Sequence, residues 1–303
     1  MSNKTSFIAR GPLLIILSGL CFSTTGTTQA LSPEGATPMV IGALRLLVGG
    51  AALLGWCALG KRLPNLRTWP LGKTFLAAIG VLGYQLCFFM ALKFTGVAVG
   101  TVVGIGATPI IGGLMAWVFL KEKPVKIWYP ATVLALLGLG LLSLTGEISI
   151  KPVGLLLALG AATFYSIYII AGKVIIQGRD ADAVMGVLFA IGAFFCLPIF
   201  FIFPTAWIFT GKGVIIALHL GVITAALAYA LYLAGLRTTN TSTAVTLTLV
   251  EPLAAAMWGI FLLGEPMTTK AVLGIVLIFV STALLALRGD KKDPDRADAP
   301  HEA

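Results

Sequence analysis

The sequence predicts an all-α integral membrane protein, a bundle of ten transmembrane helices in two inverted five-helix repeats around a central cavity. Three observations predict it. Of 303 residues, 58% are hydrophobic and only 11% charged, whereas a soluble domain carries about 25% charged residues. The chain divides into ten apolar runs, each near the ~20 residues that cross a hydrocarbon core as a helix. The second half of the chain also repeats the first.

Composition removes the competing classes. At a mean hydropathy of +0.99, 21 basic and 12 acidic side chains cannot build a water-facing surface. Disorder requires low hydrophobicity. The 35 glycines and 15 prolines follow no period, which excludes a fibre. Cys21, Cys57, Cys87 and Cys196 sit in apolar runs without CxxC spacing. They read as small buried hydrophobes, not as a disulfide frame or zinc site.

The runs cover residues 11–31, 37–60, 74–92, 98–120, 126–145, 153–173, 183–203, 213–233, 242–263 and 270–288. Run 11–31 follows Lys4 and Arg10 and contains TQA, the pattern of a cleavable signal; its match to the second repeat makes it a span instead. The connections SPEGA, KRLPNLRTWPLGK, KEKPV, GEISIKP, QGRDAD and PTAWIFTGK are short and carry Pro, Gly or charge, as connections should. Lipid-facing strands would be ten-residue alternating segments, which these runs are not. The tail 289–303 is charged and expected to be disordered.

The net charge of +9 would suit nucleic acid, but in a membrane chain the placement of Lys and Arg decides orientation. With residues 1–10 cytoplasmic, only Lys93, Lys151, Lys212 and Lys270 fall outside and Arg45 falls within a span; the other sixteen lie inside. Both termini are therefore expected in the cytoplasm, in a multi-pass inner-membrane protein whose partners are lipid and a small solute and not nucleic acid.

The repeat is readable by eye. ALKFTGVAVGTVVGIGATPIIGGLMAWVFLKEKP, from Ala91 to Pro124, answers GLRTTNTSTAVTLTLVEPLAAAMWGIFLLGEPMT, from Gly235 to Thr268. Lys93 matches Arg237, Pro109 matches Pro252, and Glu122 with Pro124 parallels Glu265 and Pro266. GPLLIILSGLCFS against VGLLLALGAATFY aligns Phe22 with Phe164. The units span 11–146 and 153–288, each with five crossings, so they must enter the membrane from opposite sides. Inverted repeats of this kind underlie many secondary transporters, with the site near the midplane.

These motifs resemble the drug/metabolite transporter superfamily, and within it the ten-helix EamA-type exporters. The resemblance runs from about Leu13 to Leu287. It implies a ten-helix bundle exporting small metabolites such as amino acids across a bacterial inner membrane. It also implies that the fourth and ninth helices line the cavity, with parts of the first, third, sixth and eighth.

Three ionisable side chains lie inside spans, namely Arg45, His219 and Glu251. A charge at mid-bilayer costs roughly 2.5–3.5 kcal/mol on insertion scales, so each must face a cavity or a partner. Glu251 reads as a cavity carboxylate for an ammonium or a proton, or as a structural acid at the Pro252 break. Arg45 either pairs with a carboxylate bidentately or ties helix ends through carbonyls. His219 is a proton-relay candidate or a hydrogen-bonded packing residue.

Around these lie further candidates. Thr241, Ala244, Thr248, Glu251, Ala255 and Trp258 share one helical face. Gly100, Gly104, Thr108 and Gly112 form a small-residue stripe in the fourth span that reads mainly as packing. The tract from Ser23 to Thr28 supplies hydroxyls, with Thr24 and Thr28 facing the expected cavity. Tyr84, Phe88, Phe164, Tyr165, Tyr168, Tyr229 and Tyr232 suit either a pocket for amphipathic solutes or helix packing. Trp56, Trp69, Trp128 and Trp207 fall near predicted interfaces and read as belt residues.

Missing motifs exclude other chemistry. No GxxxxGK[ST] phosphate loop exists, nor HExxH, GxSxG or a His-rich cluster, so nothing supports ATP drive, a metal, a cofactor or hydrolysis. The expected function is secondary-active export of small metabolites, amino acids first. The alternatives are a lipophilic-cation exporter and a passive facilitator of the same fold. Cysteines introduced at Lys123 and Met267 should react with an impermeant thiol reagent from opposite membrane faces; labelling of both from one face would refute the inverted repeat.

Overall fold

A computed structural model describes residues 10–143, 152–263 and 268–288. The first nine residues, the GEISIK connection, the GEPM corner and the charged tail lie outside the described residues. Every long element is helical. They are α1 (Arg10–Ala30), α2 (Pro38–Leu59), α3 (Leu71–Leu120), α4 (Trp128–Ser143), α5 (Pro152–Ile175), α6 (Ala181–Cys196) and α7 (Ile199–Ile202). The chain continues as α8 (Gly211–Leu236), α9 (Thr241–Leu247), α10 (Val250–Leu263) and α11 (Thr269–Arg288). Among the described residues, seven stretches are long and apolar enough to cross a membrane. Trp128–Leu141 and Val272–Leu287 are shorter apolar helices, and the ninth expected span is split into α9 and α10.

Two expected crossings, 74–92 and 98–120, both fall within the 50-residue helical stretch α3, as Leu71–Ala91 and Val103–Leu120. A straight helix of that length would reach about 75 Å, yet α3 does not run straight. Gly80 and Gly83 abut Tyr168 and Phe164, so the stretch Leu71–Ala91 runs antiparallel to α5. Gly104 and Gly112 abut Ala158 and Ser166, so Val103–Leu120 runs parallel to it. A Cβ on Gly104 would stand 3.3 Å from the Phe88 ring. The chain therefore doubles back between the two stretches, and α5 lies against both arms. Glycine is required at this seam: a Cβ on Gly80 would meet the Tyr168 nitrogen at 2.7 Å.

Other pairings close the bundle. α2 packs on α6, α4 on α11, and α1 on both α8 and α10. Two helices depart from regular geometry. α8 carries a π-helical segment, His219–Leu227, a rare form that recurs at functional sites. The ninth crossing stops at Leu247 and restarts at Val250. Pro252 has no N–H, and its ring clashes with the carbonyl four residues back, which here is that of Thr248. The backbone tightens instead, with Leu249 N donating to Thr246 O (3.1 Å) and Glu251 N to Thr248 O (2.9 Å). Pro109, its repeat counterpart, sits inside continuous helix.

Several tryptophans differ from expectation. Trp56 is exposed, as a belt residue would be, but Trp69, Trp128 and Trp207 are buried. Trp128 fills the joint between α4 and α9, where its ring lies against Gly113.

Substituting Gly80→Ala should lower stability by about 1–3 kcal/mol through overpacking. Gly140→Ala, where a Cβ would meet nothing within 4 Å, should leave the detergent melting temperature unchanged. Equal melting temperatures would disprove the close approach of α3 and α5.

Candidate functional site

The aromatic residues of α3, α5 and α8 form one connected chain. Tyr84 stacks on Phe88 with centroids 5.5 Å apart and meets Tyr165 at 5.0 Å. Tyr165 meets Tyr168 at 5.7 Å, and Tyr168 meets Tyr229 at 5.7 Å. Tyr229 then takes Phe22 edge-on at 4.8 Å and Phe189 at 5.0 Å. The chain has two kinds of member. Tyr168 and Tyr229 are buried and brace α5, α6 and α8 against one another, whereas Tyr84, Phe88 and Tyr165 are only half-buried. The half-buried three form the accessible wall.

Glu251 opens the first turn of α10, just past the break. It is half-buried between buried Val250 and Leu253, and among the described residues its carboxylate has no hydrogen-bond partner. α1 approaches closely here: a Cβ on Gly19 would stand 3.5 Å from the Glu251 nitrogen. Arg45 of α2 lies within electrostatic reach of Glu251, Tyr84 and Tyr229. One acid, one base and tyrosine hydroxyls thus share a single interior region.

Arg45 is 6% exposed. Its Nη2 donates to the Thr224 carbonyl at 3.0 Å, inside the π segment where the helical ladder is offset, and its Nε has no partner. The side chain therefore fastens α2 to α8 and keeps part of its guanidinium uncommitted. His219, the first residue of the π segment, shares a 3.0 Å hydrogen bond between Nε2 and Thr24 Oγ1. His219 and Thr24 are both half-buried, so this pair joins α1 to α8.

Several threonine hydroxyls serve their own helices. Thr28 donates to Thr24 O at 2.7 Å, Thr108 to Gly104 O at 3.0 Å and Thr248 to Val245 O at 2.7 Å. Such bonds to the preceding turn satisfy the hydroxyl and bend the helix. Thr108 and Thr248 are buried, while Thr28 is half-buried. Trp258 is 36% exposed and donates its indole N–H to Ser23 Oγ at 2.9 Å. The break interrupts the face proposed for the ninth crossing, so Thr241, Ala244 and Thr248 pack inside while Trp258 meets α1 and only the Glu251 backbone is placed beside it.

Sequence reasoning missed three groups. Gln85, buried on α3, donates to Gly42 O at 3.3 Å and leaves its Oε1 unpartnered; an amide in an apolar run was the available signal. Trp128 Nε1 donates to Ser242 O at 2.9 Å and Thr246 Oγ1 at 3.0 Å, pinning α9 to α4. Glu122 pairs with Lys173 at 2.9 Å and accepts from Thr241 N at 2.9 Å. No local pattern joins residues so far apart in the chain.

A separate cleft of about 370 Å³ is lined by Arg62, Asn65, Thr68, Trp69, Arg179 and Asp180. Its cations are engaged. Arg62 bridges Asp180 and Asp182, and Arg179 donates to Thr68 O while lying over the Trp69 ring at 5.6 Å. These bonds, with Glu122–Lys173, gather the basic connections at one end of the bundle.

Comparison with known proteins fits this architecture. A profile of the EamA-like transporter family matches twice, over residues 9–144 and 152–287. The chain is 39% identical to the uncharacterized transporter YwfM of Bacillus subtilis over 290 residues, covering 95% of this chain and 97% of that protein. It is 28% identical to the threonine/homoserine exporter RhtA of Escherichia coli K12, covering 93% and 94%. A solved crystal structure superposes with a TM-score of 0.80 at 19% identity, covering 95% of this chain and 99% of the other, which shows the shared fold.

Trp128→Phe should cost about 0.5–1.5 kcal/mol, because it removes the indole hydrogen bonds that join α4 to α9 while Ser242 O keeps Thr246 Oγ1 and Thr246 keeps Thr132 as partners. Trp56→Phe, on the exposed surface, should cost nothing measurable. Thermal unfolding in detergent compares them, and equal midpoints would dismiss the α4–α9 pin.

Proposed function

The chain belongs to the EamA-like transporter family, and on that premise we propose that it exports small amphipathic metabolites, amino acids first, by secondary-active alternating access. It is a membrane transporter; the solute class, the direction and the coupling are the proposal. The observation that carries it is the Glu251 carboxylate, deep in the ninth crossing, half-buried and without a hydrogen-bond partner among the described residues. An acid in hydrocarbon must meet a partner or water.

The site chemistry suits a zwitterion. Glu251 would take the ammonium, and the uncommitted part of the Arg45 guanidinium would meet the carboxylate. Tyr84, Phe88 and Tyr165 offer an apolar wall with polar tips for the solute side chain. His219 and Thr24 would complete the polar rim. The similarity to a threonine/homoserine exporter supports this solute class. The basic end would face the cytoplasm, in keeping with the bias of Lys and Arg toward that side, and loading would occur there.

The same half-buried aromatic wall beside one acid also favours a second reading, export of lipophilic cations, in which Arg45 would serve helix packing only. Counterflow in proteoliposomes separates the readings. Threonine, homoserine and other amino acids should trans-stimulate uptake, and organic cations should not. Stimulation by cations alone would favour the second reading, and equilibration without trans-stimulation would identify a facilitator. Glu251→Gln should reduce transport at least about tenfold, equivalent to losing ~1.4 kcal/mol of binding, with unchanged yield and melting temperature. Undiminished transport in that variant would dismiss Glu251 as a site residue.

A further inference from the structure

Glu122 is the residue around which the basic end of the bundle closes. Lys121 adopts φ 57°, in the left-handed region, and ends α3 there. Past that turn, the Glu122 carboxylate has two partners. Lys173 Nζ, at the end of α5, lies 2.9 Å from Oε1, and Thr241 N, the first residue of α9, donates to Oε2 at 2.9 Å. Lys173 also donates to Thr239 O at 2.7 Å. The side chains of Glu122 and Lys173 are only 21% and 11% exposed, so the pair is shielded from water and counter-ions in a way that surface pairs are not.

This joint lies on a path to Glu251. Thr241 precedes Glu251 by ten residues in the sequence, about 15 Å along a helix. Between them α9 is packed without space: Gly112 abuts Val245 and Gly113 abuts Ser242. Beyond the break the packing changes partner. α10 lies on α1, through Trp258 to Ser23 and Val250 to Gly19, where Thr24 and Thr28 are half-buried and Trp258 is exposed. The ninth crossing is thus tightly packed on its basic-end half and less buried on the other.

The two repeats are unequal here. The alignment that pairs Phe22 with Phe164 places Leu31, with Ala30 beside it, where Lys173 stands. The same two positions at the opposite end therefore cannot form an ion pair with Glu265.

We propose that Glu122 is a positioning residue for transport: shared between Lys173 and the Thr241 N–H, it holds α9 closed over the basic-end mouth of the cavity, and its release opens that mouth. The proposal rests on the alternating-access reading. It makes closure at the basic end the favoured state in the absence of solute, because among the described residues the shielded Glu122–Lys173 joint lies at that end.

The test reads access and needs no solute. In a background lacking the four native cysteines, Thr248→Cys reports entry one turn from Glu251, and Leu188→Cys, in the packed core, reports general loosening. An impermeant maleimide is applied from the basic-end side of sealed vesicles. Glu122→Ala and Lys173→Met should each raise labelling at position 248 about tenfold, as expected when a bias between two states is removed, with no change at position 188. Glu122→Gln, whose amide oxygen still accepts from Thr241 N, should fall between Glu122→Ala and the parent. Lys173→Arg should match the parent. Parental rates at position 248 in Glu122→Ala, or an equal rise at both reporters, would overturn the gate. A solute panel with no transported member would sink the export reading while leaving these rates readable.

Discussion

The arrangement depends on one constraint. Within hydrocarbon every backbone N–H and C=O must be satisfied inside the protein, and irregular backbone survives only where it is buried in protein or lines a cavity. Pro252 forces such irregularity deep in the ninth crossing. Its missing N–H leaves the Thr248 carbonyl to the Glu251 nitrogen, three residues on, at 2.9 Å. α1 closes on the break with no more than a glycine, Gly19, against Val250 and the Glu251 nitrogen. Once the backbone is protected in this way, an acid can be placed there and oriented toward the interior.

The second irregularity follows the same logic. A π segment offsets the ladder of α8, and Arg45 donates to the Thr224 carbonyl within it. A buried guanidinium that bonds a carbonyl satisfies the acceptor and is itself partly satisfied, so neither group bears the full cost of burial. His219 begins the same segment and reaches Thr24. The two irregular helices carry His219 and Glu251, Arg45 reaches one of them from α2, and the aromatic chain from Phe88 to Phe189 spans the space between their neighbours. Regular helices supply the walls, and the polar groups lie on the irregular ones or bond to them.

How much of this was legible in the sequence follows from the range of each interaction. A crossing is an average over some twenty residues, so its position survives local error: the run 37–60 became Pro38–Leu59 and the run 270–288 became Thr269–Arg288. The ionisable residues were legible because charge in an apolar run is conspicuous. A break at Pro252 was legible as well, but its contrast with Pro109, which at the matching place leaves its helix intact, was not. What differs is tertiary: α9 is held separately by Trp128 and Glu122. The tryptophans failed for a related reason. Trp69, Trp128 and Trp207 sit near span ends, where a lipid belt and an interhelical joint have the same sequence signature, and only packing tells them apart.

The divergence of the two repeats bears on how such a molecule works. A pair of identical halves inserted in opposite senses would have equal energy when closed at either end, and a solute would find both states equally populated. Here one half has a broken helix with a half-buried acid and the other a continuous helix with Thr108 bonded to its own backbone. One end has Lys173 and the other Leu31. Each difference stabilises one arrangement over its mirror by an amount the bilayer amplifies, since interactions shielded from water and salt are less screened. Pseudo-symmetry makes two states available to a single chain, and the residues that break the symmetry set their proportions. A solute shifts that proportion only by its difference in affinity for the two states. In the alternating-access reading, residues at the corners, remote from any solute, would therefore govern apparent affinity as directly as the cavity wall.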